Sequence, residues 1–297
     1  MKILVTGANG FVGSYISSWA EAVPLIEYGQ FVDIRDAAAL ATTIQKIRPD
    51  AAVHLAAQSF VPQSLRNPRE TFEINFLGTL NLLMALGESG FSGRFLYVGS
   101  GDMYGRVPID AMPIQENYPL RPRNPYAVSK VAAEALCYQW SQSETFEVVM
   151  VRPFNHVGPR QSTQFVVAGL AQQIAEIKHQ KRTPVVDVGN IDVTRDFTDV
   201  RDVVRAYRML LEHGRNGEVY NVSSGHERSI RSILDMLISI SGVSVQVRQD
   251  PSRLRSAEQE RVWGSYEKLH RDTGWSPEIP FEQTLKDTLT YWEGEIR

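Results

Sequence analysis

A short run, Ile3-Leu4-Val5-Thr6, leads directly into Gly7-Ala8-Asn9-Gly10-Phe11-Val12-Gly13, and no other segment restricts the fold as strongly. Three glycines spaced three apart, between a strand-forming run and a helix-forming one, have separable uses. The first permits a tight turn, the second lets the backbone approach a pyrophosphate, and the third lets the helix lie close against the strand. A helix opening at that point presents unpaired N–H groups and about half a positive charge to an anion. The spacing is GxxGxxG, one residue off the general dinucleotide fingerprint, so by itself it is equally a glycine turn without a ligand.

The rest of the first half alternates short apolar runs with segments of helical period, the pattern of βαβ units on a mostly parallel sheet. Strands are predicted at Ile3–Thr6, Pro24–Tyr28, Phe31–Asp33, Ala51–Leu55, Arg94–Gly99 and Glu147–Arg152. Leu77, Leu80 and Met84 recur at i, i+3 and i+7 and predict a helix whose apolar stripe lies on the sheet. A second helix is predicted from Asn124-Pro125, where proline suits the first turn, to Gln142. Beyond Phe154 the pattern loosens, with a turn at Gly158-Pro159, a helix over Gln164–Lys178 and a polar stretch from Gln249 to Glu260. The expected architecture is α/β: a Rossmann-type doubly wound parallel sheet, with a smaller C-terminal α/β subdomain for substrate. The dinucleotide-binding part takes residues 1–157 with about 193–222, and the substrate part takes about 158–192 with 223–297.

Composition closes off other classes. With 43% hydrophobic and 22% charged residues in 297, the chain is an ordinary globular one. A net charge of -3 gives no general attraction for nucleic acid or an acidic membrane, so an anionic ligand must be met by individually placed arginines and backbone N–H groups. The single Cys137 cannot form an internal disulfide, and no Cys/His cluster has metal-binding spacing, which predicts a reducing compartment and no metal. No signal-peptide pattern follows Met1-Lys2, and no apolar stretch reaches the roughly 18 residues of a membrane span, so the protein is expected in the cytoplasm, without a membrane partner.

In Tyr126-Ala127-Val128-Ser129-Lys130, the tyrosine and lysine project from one helical face, where the ammonium can favour the ionised phenol. A phenol with an ordinary pKa of about 10 is otherwise a poor proton carrier near neutrality. Ser100, at the end of a predicted strand, stands where a parallel sheet forms its ligand crevice, four residues before Tyr104 of a Tyr-Gly pair. A glycine turn, a serine at a strand end and a YxxxK pair, in that order, resemble the extended short-chain dehydrogenase/reductase family, and the resemblance runs over nearly the entire chain.

That resemblance implies a nicotinamide cofactor, NADPH or NADH, and catalysis by Ser100, Tyr126 and Lys130. It gives the cofactor Gly7, Gly10, Phe11, Val12 and Gly13 at the pyrophosphate, and Asp33 and Ile34 at the adenine. Leu55, Ala56, Ala57 and Gln58 lie in the strand-end loop beside the ribose, with Ser59 next to them on the substrate side. Asn75 matches the family's helix asparagine, and Pro153, Asn155 and His156 match the turn at the nicotinamide, with Asn155 also facing substrate phosphates. The segments Phe154–Arg160 and Val188–Asp196 are similar to those of the group that handles GDP-linked 4-keto-6-deoxy sugars. There Arg160 meets the substrate and Arg195 its diphosphate, and Arg255 and Glu258, in a segment like the group's Arg-Pro-Thr-Glu, meet phosphate and nucleotide.

Two departures from the group's 4,6-dehydratases set the expected reaction. Those enzymes carry Thr-Ser-Glu or Thr-Asp-Glu at the active site, where this chain has Ser100-Gly101-Asp102. Asp102 is one methylene shorter than the glutamate that must reach the C5 proton, and its alternative role is to hold a sugar hydroxyl. Only about twenty residues separate Gly13 from Asp33, so the dehydratases' arginine-rich loop is missing. A shortened loop suits a cofactor that leaves at every turnover. The resemblance therefore implies reduction of the C4 ketone of GDP-4-dehydro-6-deoxy-D-mannose to GDP-D-rhamnose. The alternatives are a 4,6-dehydratase or epimerase and, outside enzymes, an NAD(P)-sensing regulator. It also implies a homodimer built on the helices over Pro68–Leu86 and Pro125–Gln142.

Overall fold

The computed structural model describes residues 1–143, 146–253 and 259–296. Its centre is a six-stranded, all-parallel sheet that grows outward from Ile3–Thr6 in both directions: Ala22–Pro24 on one side, and on the other Ala51–His54, Arg94–Val98, Glu147–Pro153 and Val219–Val222 in turn. Chain order reverses at the first strand, and in such sheets the ligand crevice opens there, above the carboxyl ends of the strands.

Alternation along each strand feeds two cores. Ile3, Val5, Val53, Leu96, Val149 and Val151 face the helix Val200–His213 on one side, and Leu4, Ala52, Phe95, Tyr97, Val148 and Met150 face the helices Ala37–Ile47, Gly78–Glu88 and Pro125–Ser143 on the other. A third core lies under the second sheet, in which Thr194–Asp199 pairs with Glu227–Ser229 on one edge and Asn155–Val157 on the other. The helices Val166–Lys178, Ile230–Ser241 and Phe281–Ile296 cover it. The chain end also returns to the first core. Trp275 is fully buried there, its indole donating to the Asp202 carbonyl at 3.0 Å, and the Asp202 carboxylate accepts the amides of Glu278 and Ile279.

Two expectations need correction. The apolar stripe Leu77, Leu80 and Met84 does not lie on the sheet: Leu77 and Met84 are each 45% exposed, and Leu82, Leu83 and Leu86 are the buried face. This helix is apolar on both sides, and periodicity locates a stripe without saying which of two stripes turns inward. The second and third predicted strands are also displaced. Ala22–Pro24 pairs with the first strand, while Ile26–Glu27 and Gln30–Phe31 form a separate small hairpin. Its turn is Tyr28-Gly29, both left-handed at φ 50° and 79°, the conformation of a two-residue hairpin loop, and it leaves Asp33 in the loop beyond.

Candidate active site

The glycine turn closes against the neighbouring strand end. Gly7 is left-handed (φ 67°), and a Cβ there would stand 2.8 Å from the Ala56 nitrogen; one on Gly13 would stand 2.2 Å from the Gly7 carbonyl. Gly10 differs, since a Cβ would meet only the Gly7 carbonyl, at 3.2 Å, so its backbone faces open space where a phosphate can approach. Thr6 Oγ1 accepts from the amides of Leu55 (3.2 Å) and Ala56 (3.1 Å), and the buried His54 ring bridges Thr6 and Thr79 at 2.7 and 2.9 Å. Burial pushes His54 down to about 3, so it serves as a neutral spacer. Phe11 stacks on His156, rings 4° from parallel, joining the glycine turn to the strand that follows Pro153. Asp33 is exposed, and the Arg35 guanidinium at 2.6 Å holds its carboxyl below the usual range. Ile34 is buried against Gly78, where a Cβ would come within 2.6 Å of it.

Ser100, Tyr126 and Lys130 converge at the end of Arg94–Val98. Ser100 caps the short 3-10 turn Gly101–Tyr104, its hydroxyl accepting from the Asp102 amide at 3.2 Å. The Tyr126 phenol shares a hydrogen bond with Ser100. Burial pushes this phenol upward, the Ser100 bond partly offsets that, and the nearby Asp102 carboxylate pushes it further up. Lys130 is buried, its ammonium donating to the Val98 carbonyl at 2.8 Å above the Tyr97 ring, and burial brings it down to about 8. The lysine therefore stands at the strand end beneath the serine turn, and its hydrogen bond goes to backbone rather than to the phenol.

Behind these groups lies an arrangement that the sequence reading passed over. Glu134 continues the series Tyr126, Lys130 by four more residues, and its carboxylate grips Arg152 through two bonds of 2.5 and 2.9 Å, with side chains only 8% and 6% exposed. Arg152 also donates to the Tyr104 hydroxyl (2.9 Å) and the Glu116 carbonyl (3.0 Å), and Tyr104 donates to Asn221 at 2.7 Å. One ion pair thus ties the helix of Tyr126 and Lys130 to the far end of the Ser100 turn. Asn75 ties the same helix to the loop after Ala51–His54: its amide bonds both backbone groups of Gln58 (2.8 and 3.0 Å) and donates to Ser129 (2.9 Å), which donates to the Tyr126 carbonyl. The detectable signal was a glutamate in helical register with Tyr126 and Lys130 and an arginine inside an apolar strand.

Ser59 and Asp102 are exposed, as is Asn155, which donates to the Asp196 carbonyl at 3.3 Å. Pro153 is buried, and burial lowers the proton affinity of His156. Arg160 is exposed in a left-handed conformation (φ 72°), and Arg195 donates to the Thr194 carbonyl at 2.7 Å. Arg255 and Glu258 lie outside the described residues.

Comparison with known proteins decides the family. A family model described as GDP-mannose 4,6 dehydratase matches residues 28–288. The chain belongs to the GDP-mannose 4,6 dehydratase family. Among its relatives is the GDP-6-deoxy-D-mannose reductase of Pseudomonas aeruginosa, 47% identical across 100% of this chain and 98% of that protein. A GDP-mannose 4,6-dehydratase of Vibrio cholerae is 26% identical, over 97% of this chain and 92% of that protein. The structure of RMD from Pseudomonas aeruginosa complexed with NADPH superposes with a TM-score of 0.92 at 46% identity, covering 99% of this chain and 100% of that one. Within this site Gly101 is closely packed. A Cβ at that position would meet the Phe154 ring at 3.3 Å, and the same ring lies against Gly264 from the second sheet's side.

Proposed function

We propose that this chain is an NAD(P)H-dependent reductase that converts GDP-4-dehydro-6-deoxy-D-mannose to GDP-D-rhamnose. The observation that carries the reading is an intact Ser100, Tyr126 and Lys130 set in a chain that matches a GDP-6-deoxy-D-mannose reductase from end to end at 47% identity. The open backbone at Gly10 fits a dinucleotide's pyrophosphate. The nicotinamide, when bound, supplies hydride to C4 of the sugar. Tyr126 holds its proton throughout the neutral range because burial pushes the phenol upward, and it donates that proton to the oxygen gaining charge at C4. Ser100 hydrogen-bonds the same oxygen, and preorganised donors of this kind are worth about 3 kcal/mol each. Lys130 orients the ribose. The pyrophosphate falls to Gly7, Gly10, Phe11, Val12 and Gly13, the adenine to Asp33 and Ile34, and the remaining cofactor contacts to Leu55–Gln58, Asn75, Pro153, Asn155 and His156. Ser59, Asp102, Arg160 and Arg195 with Asn155 serve the GDP-sugar, as do Arg255 and Glu258 by resemblance alone. In this division, residues 1–157 with about 193–222 hold the cofactor and the remainder holds the sugar nucleotide.

The direction follows from Gly101 and Asp102, which leave the dehydratase run without its middle side chain and with a shortened acid. Elimination is the second reading, favoured by the description of the matching family model. Incubation with GDP-mannose and no reductant separates the two. We expect unchanged GDP-mannose, and the 4-keto substrate with NADPH giving a 6-deoxy hexose with an axial or equatorial C4 proton readable by NMR. Formation of a 4-keto sugar from GDP-mannose would replace the reductase by a dehydratase.

The outward stripe supports a homodimer. Leu77 and Met84 at 45% exposure, Val128 at 39% and Tyr138 at 54% lie on the two helices of the expected four-helix bundle. Light scattering is expected to give twice the chain mass for the wild type and the monomer mass for Leu77→Asp/Met84→Asp; an unaltered mass in that variant removes this interface. Among the described residues no helix is long and apolar enough to cross a membrane, and the buried, unpaired Cys137 suits a reducing compartment, the cytoplasm in this reading.

A further inference from the structure

Arg228 stands directly opposite Arg195 in the antiparallel pair formed by Thr194–Asp199 and Glu227–Ser229. Directly opposed residues turn their side chains to one face with Cβ atoms about 5 Å apart, and like charges so placed repel. The next opposed pair, Asp196 and Glu227, points to the other face and is committed there. Asp196 accepts from Ser224, Gly225 and Gly264, and Glu227 accepts from Thr194 and Arg261. Both carboxylates are therefore engaged on the face opposite to Arg228.

Parallel pairing puts Asn155 beside Phe197, two residues from Arg195, so Asn155, Phe197, Arg195 and Arg228 share this face. The Arg228 guanidinium lies 4.6 Å from the centre of the Phe281 ring, and Phe281 rests against Phe197. The apolar ring lies against the guanidinium and accepts no hydrogen bond from its donors. Its Nε is buried without a hydrogen-bond partner, and among the described residues Arg228 makes no ion pair. Most arginines of this chain are paired to carboxylates, including Arg201, Arg205, Arg208, Arg231 and Arg261. A guanidinium on an aromatic ring, with its Nε buried and unpartnered and no ion pair among the described residues, is arranged to take an anionic ligand.

We infer that Arg228 is a ligand of the substrate's diphosphate, completing with Arg195 and Asn155 one anion-binding face for a nucleoside diphosphate. The inference rests on the reading of the chain as a GDP-sugar enzyme. It adds a residue that none of the sequence motifs pointed to. Arg228 belongs to the second sheet, away from the glycine turn, so the cofactor's pyrophosphate is not its target.

The test titrates GDP, and guanosine as the phosphate-free probe, into full-length wild type, Arg228→Gln and Arg228→Lys by calorimetry with NADPH present. Loss of a charge-assisted fork is expected to weaken GDP about tenfold or more in Arg228→Gln and less in Arg228→Lys, with guanosine affinity unchanged. The gap between wild type and Arg228→Gln should narrow as salt is raised. With the 4-keto sugar, KM should rise in step while kcat and NADPH affinity hold. GDP affinity within twofold of wild type in Arg228→Gln overturns the inference, as does equal weakening of GDP and guanosine, which would mark a disturbed fold. Should Arg228→Gln not fold, Arg228→Lys decides, because it keeps the charge and loses the fork. A wild type that binds GDP but does not reduce the keto sugar removes the reductase reading and leaves this site in place. A wild type that does not bind GDP overturns the site.

Discussion

Tyr126→Phe is expected to lower kcat for the keto sugar by about a hundredfold to ten-thousandfold, the range for loss of a positioned acid. NADPH affinity should hold within twofold, because the ring remains and only the hydroxyl shared with Ser100 is lost. Consumption of NADPH followed optically, with cofactor titration alongside, reads both quantities; a variant turning over near the wild-type rate would move the proton donor elsewhere. The pH profile of the wild type gives a second check. The phenol is pushed upward and stays protonated through neutrality, so it does not set the alkaline limb. Lys130, brought down to about 8 by burial, does. Its ammonium is present below that value and lost above it, so kcat/KM should fall as pH rises through about 8. The fall should steepen no further until the phenol itself ionises.

Glu134→Ala should have the larger effect on stability. It leaves the Arg152 guanidinium buried without its carboxylate, a loss of about 3–5 kcal/mol in comparable buried pairs. Denaturant midpoints would record it. Removing both charges, as Glu134→Leu/Arg152→Met, should recover most of that stability, since well-packed apolar pairs commonly match or exceed a buried ion pair. Turnover should stay low in the double variant, because the Tyr104 hydroxyl loses its donor and the Ser100 turn its tether to the helix of Tyr126. Misplacement of reacting groups by about 1 Å can cost a hundredfold. Wild-type kcat in the stable double variant would reduce the ion pair to a purely structural element.

These two cases show why some of the site was readable and some was not. Gly7, Ser100, Tyr126 and Lys130 sit at fixed spacings on a strand–turn–helix and on one helix, where local chemistry dictates both residue type and separation. Arg152 and Glu134 meet across 18 positions, and Tyr104 and Asn221 across 117, so their meaning appears only when the sheet brings them together. The sheet itself was legible from alternation because its strands are buried on both faces. The region after Gly13 was not: Ala22–Pro24 is an edge strand of three residues, and its successor turns back at Tyr28-Gly29, which apolar content alone does not separate from a continuing strand. The Leu77 and Met84 stripe failed for a related reason, since an exposed apolar stripe carries the same periodic signature as one facing a core. Arg228 carried no signal at all, because an arginine without a carboxylate is informative only once its surroundings are known.

The return of Trp275 to the first core bears on how the protein is made. The six strands are complete at Val222, yet the pocket they leave is filled by an indole synthesised more than fifty residues later. An unfilled cavity of that size costs about 3–5 kcal/mol, a large share of the stability of a typical domain. The first core therefore stays incomplete until the segment bearing Trp275 has been made. A chain truncated before Trp275 should therefore show a lower denaturant midpoint for the six-stranded sheet than the full chain.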